Sequence, residues 1–449
     1  MSLRRHKLGP VEKVGYSVGD FGFNLYWTTL GSFLAAFYTD VFGLAAAAAG
    51  SMLLVTRIVD AFTDPVMGAI ADRTRSRFGK FRPYLLFGGM PLAIAGVLAF
   101  TTPDVSATGK LVWAYATYTV LMLCYTVINT PYSALSGVMT ADSQTRTTLI
   151  TTRFIFAFAC GAFVNKYTLD LVAYFGGGDA ARGWQLTLTL YGAVAVVLFW
   201  LSFASTRERI ETPTQQISNP RQDIADLLRN KPWLILFALS MLVMMTVTMR
   251  GGSAYYYFTY YLERQDLLGD YLLSQSLAYA AGAVATPFLT RFVDKARLIM
   301  LLMGIVGTLS ILFCFVPADE IELIFLLNIL ISLALGPKAP ITWSMYADTA
   351  DFNEWQHERR ATAMTFAAAT FAQKLGASIG SAAMLWILAG LGYVANEAQS
   401  EASQQGINQL QTLAPGIFAL VAMIIVSRYS LTRERLATMQ TDLEARDVG

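Results

Sequence analysis

Arg57, Asp60 and Asp64 are spaced i, i+3 and i+7, so on a helix they share one face. Two carboxylates one turn apart lie about 6 Å from each other at Cβ, and they repel unless a cation or a proton sits between them. Carboxylate oxygens suit a hard monovalent cation, and Thr63 beside the pair and Thr126 further along can add hydroxyl ligands. The same residues also fit a plainer use. Arg57 can hold one carboxylate in an internal salt bridge, and each threonine can bond back to its own helix. A second constellation opens the chain: Asp20 in Gly19-Asp20-Phe21-Gly22, followed by Asn24, Tyr26 and Trp27. A carboxylate accepts two hydrogen bonds from vicinal hydroxyls, and an aromatic ring stacks on a sugar face. Arg153 can bridge to Asp20 or donate to the same ligand.

The elements that carry these residues are long and apolar. Of the 449 residues 55% are hydrophobic and only 14% charged, against about one quarter charged in a soluble domain. That excludes a soluble enzyme with an ordinary surface and points to a polytopic membrane protein. The net charge of +2 argues against a nucleic-acid partner. Cys124, Cys160 and Cys314 lie in apolar runs without metal-ligand spacing and read as small hydrophobes. A helix needs about 20 residues to cross a bilayer. Twelve spans of that kind fall at 12–40, 44–71, 83–102, 110–140, 146–173, 184–206, 233–262, 270–293, 298–317, 320–348, 360–393 and 409–430.

Charge bias orients them. Arg4, Arg5, Lys7 and Lys13 precede the first span, Arg73, Arg75, Arg77, Lys80 and Arg82 fill the second loop, and Arg291, Lys295 and Arg297 follow the eighth span. Alternate loops carry few bases, so both termini are expected in the cytoplasm of a bacterium, with the spans in its inner membrane. Residues 207–231 hold nine charges and two prolines. The expected organisation is therefore an N-terminal six-helix half over 1–206, a cytoplasmic linker over 207–232, a C-terminal six-helix half over 233–430 and a cytoplasmic tail over 431–449. This all-α outline of two pseudo-symmetric halves is that of a major facilitator transporter.

Four stretches make the sequence recognisable. They are Tyr16 to Asn24, Asp60-Ala-Phe-Thr-Asp64-Pro65-Val-Met-Gly68 with Asp72-Arg73-Thr74, Thr126-Val-Ile-Asn-Thr-Pro131-Tyr132, and Met345 to Asp351 with Glu354-Trp355 and Arg359-Arg360. In order and spacing the chain resembles the glycoside–pentoside–hexuronide:cation symporter family over essentially its whole length. The resemblance implies twelve helices, alternating access and uptake of a sugar coupled to sodium, lithium or protons. It makes Asp60 and Asp64 the cation-site carboxylates, Thr126 the cation-site threonine, and Asp20 and Arg153 sugar-binding positions, with Lys374 the lysine that approaches the cation-site carboxylates. The family's melibiose carriers have aspartate at the place of Asn129, tryptophan at Ser133 and asparagine at Thr63. A galactoside pocket is thereby in doubt, and the coupling ion, Na+ or H+, stays open.

Charge balance adds an argument from the residues alone. Away from the span ends, six bases (Arg57, Arg153, Lys166, Arg250, Lys338, Lys374) face three acids (Asp20, Asp60, Asp64). A buried base needs a counter-charge, which a sugar acid such as a hexuronide would bring, unless Lys166 and Arg250 snorkel outward. The expected substrate contacts are Asp20, Arg153, Asn129, Tyr132, Asn24, Lys338 and Lys374. The basic inner loop reads either as topology or as a gate, with Asp72, Arg73 and Asp351 the gating residues and Asp142, Arg146, Asp348 and Glu354 as partners. No phosphate loop, catalytic triad or zinc spacing is present, so the chain reads as a transporter, not an enzyme, with no cofactor beyond the coupling ion. The expected partners are a small sugar, a monovalent cation and the lipid bilayer, with the protein acting as a monomer. A uniporter or lysolipid carrier on the same fold, or a non-transporting membrane sensor, are the alternatives.

Overall fold

The computed structural model describes residues 8–140, 143–209, 227–357 and 362–448, the side chains of Ala61, Asp72, Ser143, Gln144, Arg146, Thr147, His357, Thr362, Ala363, Gln440 and residues 443–448 excepted. The apolar runs fold as helices. In the N-terminal part these are α1 (Pro10–Ala36), α2 (Ala46–Arg73), α3 (Arg82–Ala99), α4 (Ala107–Met139), α5 (Ser143–Gly176) and α6 (Ala180–Ser205). They are followed by α7 (Lys231–Tyr256), α8 (Leu268–Phe292), α9 (Lys295–Phe313), α10 (Ile321–Leu335), α11 (Lys338–His357) and α12 (Thr362–Gly390). Last come α13 (Glu401–Gln411), α14 (Leu413–Val426) and α15 (Arg433–Val448). Side-chain oxygens start several of them: Ser106, Asp179, Asn230, Asp294 and Ser400 each accept a backbone N–H of the following turn.

Among the described residues, eleven segments are long and apolar enough to cross a bilayer. Together with α1 they give the twelve rods that the sequence predicts. α1 falls short on apolarity because it carries Asp20, Asn24 and many glycines and hydroxyl residues. Two predicted spans differ in detail. The tenth is not continuous: α10 stops at Leu335, and α11 restarts at Lys338 after Gly336-Pro337. The twelfth begins earlier, with α13, and is interrupted at Thr412, where φ is −122° and ψ −71°. Large apolar side chains remain exposed along the rods, among them Phe62, Val66, Ile155, Val284 and Phe288. Such surface is stable against lipid and unfavourable in water.

The chain forms two compact units. The first comprises Met1–Thr214, Leu268–Leu273 and Leu385–Ala398, and the second Gln215–Leu267, Ser274–Met384 and Gln399–Gly449. In the first unit α1 is held by polar contacts on several sides. The Tyr16 hydroxyl donates to the Tyr132 carbonyl at 3.1 Å, and the Tyr132 hydroxyl returns the bond to the Tyr16 carbonyl at 2.7 Å. The Ser32 hydroxyl donates to Asn165 at 2.8 Å. At the start of α3 the Glu208 carboxylate accepts the N–H groups of Lys80, Phe81 and Arg82 at 2.8, 2.7 and 3.0 Å. It thus satisfies orphan donors at the start of α3.

In the second unit glycines bring helices into backbone contact. A Cβ on Gly336 would come within 2.3 Å of the Tyr279 carbonyl, and one on Gly376 within 2.2 Å of the Met241 carbonyl. These contacts fix the backbone beside Lys338 and Lys374. α1 and α7 each run on into a five-residue π-turn, Phe37–Val41 and Tyr257–Tyr261, with a threonine at the middle position of both. This repeat between the units is too short to stand out in sequence.

Candidate functional site

The carboxylate face of α2 meets α4 through one hydroxyl. Thr126 Oγ1 lies 2.7 Å from Asp60 Oδ1 and 3.2 Å from Asp64 Oδ1, so three oxygens converge at one point. Asp60 and Thr126 are 1% and 2% exposed. Prolines follow closely on both helices: Pro65 adjoins Asp64, and Pro131 lies inside α4. Each removes a backbone donor and loosens the local ladder. The two threonines that the sequence could not separate behave differently. Thr63 bonds back to the Asp60 carbonyl at 2.8 Å, one turn earlier on its own helix. Its hydroxyl proton is spent on the backbone, whereas that of Thr126 faces the carboxylates.

Arg57 forms no ion pair among the described residues. Its guanidinium lies over the Trp27 ring, 4.9 Å from the centroid, and Nη1 is buried without a hydrogen-bond partner there. Trp27 in turn stacks on Tyr125 at 6.0 Å with a 30° interplanar angle. The sequence offered a carboxylate for Arg57; the Trp27 side chain of α1 supplies an aromatic face instead.

Asp20 and Arg153 are paired, with Arg153 Nε donating to Asp20 Oδ1 at 2.7 Å. The guanidinium also lies 5.0 Å from the centre of the Tyr132 ring. Tyr132 is fully buried and stacked on Tyr16 at 4.6 Å. Its hydroxyl is committed to backbone, so its role in this arrangement is to seat Arg153. Asn24 donates to the Asp20 carbonyl at 2.8 Å and thus sits one turn beyond Asp20 on α1. Asn129 is half-buried on α4, between Thr126 and Tyr132. Lys166, at the far end of α5, is bonded to Asp270 at 2.6 Å within the same unit.

The second unit holds the remaining bases differently. Arg250 does not snorkel: it is 1% exposed and donates through Nη2 to Asn328 Oδ1 at 2.8 Å, and the Asn328 amide passes on to Ser274 at 3.2 Å. The signal for this chain was legible: Asn328 stands in the otherwise apolar run of α10. Lys338 is 9% exposed, and its one partner among the described residues is the thioether of Met244 at 3.4 Å. Lys374 is half-buried on α12. In the same unit Lys295, at the start of α9, pairs with Asp348 of α11 at 2.8 Å. Of the gating residues expected from sequence, Arg73 is exposed without an ion pair among the described residues, and Asp351 is half-buried. The Asp72 and Arg146 side chains, Asp142, Arg359 and Arg360, and the N-terminal Arg4, Arg5 and Lys7 lie outside the described residues.

No group of three or more His, Cys, Asp or Glu side chains that could hold a metal ion occurs among the described residues. Two carboxylates and a hydroxyl match a singly charged ion better than a divalent one.

Comparison with known proteins fits this chemistry. The family described as MFS/sugar transport protein matches residues 15–433. The inner membrane symporter YicJ of Escherichia coli is 36% identical, over 98% of this chain and 96% of its own length. The isoprimeverose transporter of Lactiplantibacillus pentosus is 34% identical, over 92% of this chain and 88% of its own length. The glucuronide carrier protein homolog of Escherichia coli is 33% identical, over 96% and 95%. Among solved structures, a D-xylose-proton symporter superposes with a TM-score of 0.66 at 14% identity, covering 94% of this chain and 98% of that one. The nucleoside transporter NupG gives 0.64 at 12%, with the same two coverages. These two share the fold.

Proposed function

Because the chain belongs to the MFS/sugar transport protein family, as one of its glycoside–pentoside–hexuronide:cation symporters, we propose that its first unit carries both the coupling ion and the sugar. The protein is a multi-pass membrane transporter and not an enzyme. The observation that carries the proposal is the Thr126 hydroxyl shared by Asp60 and Asp64, in the same unit as the Asp20–Arg153 pair. The ion, Na+ or H+, binds at Asp60, Asp64 and Thr126. It offsets carboxylates that would otherwise repel in a low dielectric. The sugar takes over hydrogen bonds that Asp20 and Arg153 now give each other, with Asn129 and Asn24 beside them. Both termini lie in the cytoplasm, as the Lys and Arg bias of the loops supports. Arg73, Asp72 and Asp351 act at the inner gate.

For the substrate's charge we infer an acidic sugar. One relative is named for isoprimeverose and another for a glucuronide, so both neutral and acidic sugars are represented. Lys338 favours the acidic one. A buried ammonium facing a thioether is costly, and the substrate's carboxylate supplies its counter-charge. The test is calorimetry with methyl β-D-glucuronide and methyl β-D-glucoside on purified protein, each with and without Na+ and at neutral and acid pH. Tighter binding of the glucuronide, strengthened by one of the ions, is expected. Equal binding of the two, or a preference for the glucoside, would return the protein to the neutral-sugar branch. Binding indifferent to both ions would overturn symport.

A further inference from the structure

We infer that Arg57 is a positioning residue through which the ion site governs the sugar site, by choosing between the face of Trp27 and the Asp60–Asp64 carboxylates. The inference rests on the reading that those carboxylates hold the ion and that α1 carries the sugar. Three observations support it. The guanidinium rests on the indole, 4.9 Å from its centre. One of its nitrogens is buried with no partner among the described residues, so this seat leaves a donor unspent. And Arg57 shares a helical face with Asp60 and Asp64, one and two turns away, within reach of a flexible arginine side chain.

A cation and the guanidinium compete for the same carboxylate oxygens, and a bound cation also halves the net negative charge that attracts Arg57. Ion binding therefore drives Arg57 onto Trp27, and ion loss lets it return to the carboxylates. The state of Trp27 matters because of where it sits. It is seven residues after Asp20 on α1, so the two share a face, with Asn24 between them. It also stacks on Tyr125, the residue before Thr126. With Arg57 in place the indole is held by both a cation and a ring, on the helix face that carries Asp20. Without it the indole is loose, and the sugar must order it on binding. Ion occupancy thus raises sugar affinity without the ion touching the sugar.

The experiment follows the intrinsic fluorescence of full-length protein in lipid nanodiscs during NaCl titration, with choline chloride as the ionic-strength control, and during a parallel acid titration. Calorimetry measures ion binding on the same samples. Wild type should show an ion-dependent change that Trp27→Tyr lacks. Arg57→Gln should lose that change while still binding the ion, and Arg57→Lys, whose ammonium can also sit on the indole, should keep part of it. Methyl β-D-glucuronide affinity in the presence of the ion should fall in Arg57→Gln by about two- to fivefold, the factor that a partly desolvated cation–π contact carries. A full ion-dependent signal in Arg57→Gln, or a signal that survives in Trp27→Tyr, would overturn the inference while leaving the ion site standing. Ion binding that survives both Asp60→Asn and Asp64→Asn would instead overturn the reading beneath it. If Arg57→Gln does not fold, Arg57→Lys and Trp27→Tyr decide: equal signals in wild type and both variants contradict the proposal.

Discussion

The first unit seats Arg153 against a carboxylate at 2.7 Å, whereas the second seats Arg250 against an amide oxygen at 2.8 Å and Lys338 against a thioether at 3.4 Å. All three bases lie in apolar surroundings, where a charge without a counter-charge is costly. An ion pair compensates the charge itself; the sulfur beside Lys338 offers only a dipole. The first unit thus compensates Arg153 within itself, through Asp20. The second unit, at Lys338, is built to gain from an arriving anion.

Breaking the pair in the first unit should have the largest effect. Asp20→Asn leaves Arg153 buried without its carboxylate, which costs about 3–5 kcal/mol in comparable buried pairs. A marked fall in thermal stability in detergent, together with loss of glucuronide binding, is expected. Stability within experimental error of wild type would show that the pair does not organise the unit. Next is the hydroxyl between the carboxylates. Thr126→Val keeps the shape and removes a hydrogen bond to a charged group, worth about 1.5–3 kcal/mol, so ion affinity by calorimetry should change by about ten- to hundredfold.

Lys338→Met sharpens the comparison from the other side. It should bring the affinities for methyl β-D-glucuronide and methyl β-D-glucoside together, and it should raise the melting temperature of the ligand-free protein because a buried unpaired charge is gone. A wider gap between the two sugars would refute the role given to this lysine. The smallest effect belongs to Thr63→Val. The hydroxyl is spent on its own helix, so ion affinity should stay within about twofold of wild type, as surface-like losses of less than 0.5 kcal/mol do. Thr63 and Thr126 thus form an internal control.

Much of this arrangement was legible in the sequence, for definite reasons. Span positions follow from apolar length, and turn chemistry at Pro103 and at Gly176–Gly178 closes them. Spacing alone puts Arg57, Asp60 and Asp64 on one face, and the Asp20–Arg153 bridge was one of two uses open to those residues. What remained hidden depends on contacts between helices. Periodicity gives the face on which Arg57 lies but not that Trp27 of α1 meets it there. It makes Thr63 and Thr126 equal candidates, because only the approach of α4 to α2 separates them. Arg250 could equally have reached the membrane surface, and its burial follows from the single asparagine on α10. The break at Gly336-Pro337 was masked by the long apolar run of α10 before it, although a proline preceded by glycine is a stop signal.

The claim that the first unit couples ion to sugar is tested most directly by transport in membrane vesicles that carry Asp60→Asn or Asp64→Asn, each assayed two ways with radiolabelled methyl β-D-glucuronide. One assay measures accumulation against a gradient under an imposed Na+ or proton gradient; the other measures exchange of internal for external sugar at equal concentrations. The account predicts that both variants lose accumulation while exchange persists, because Asp20 and Arg153 still recognise the sugar. Undiminished accumulation in either variant would contradict it.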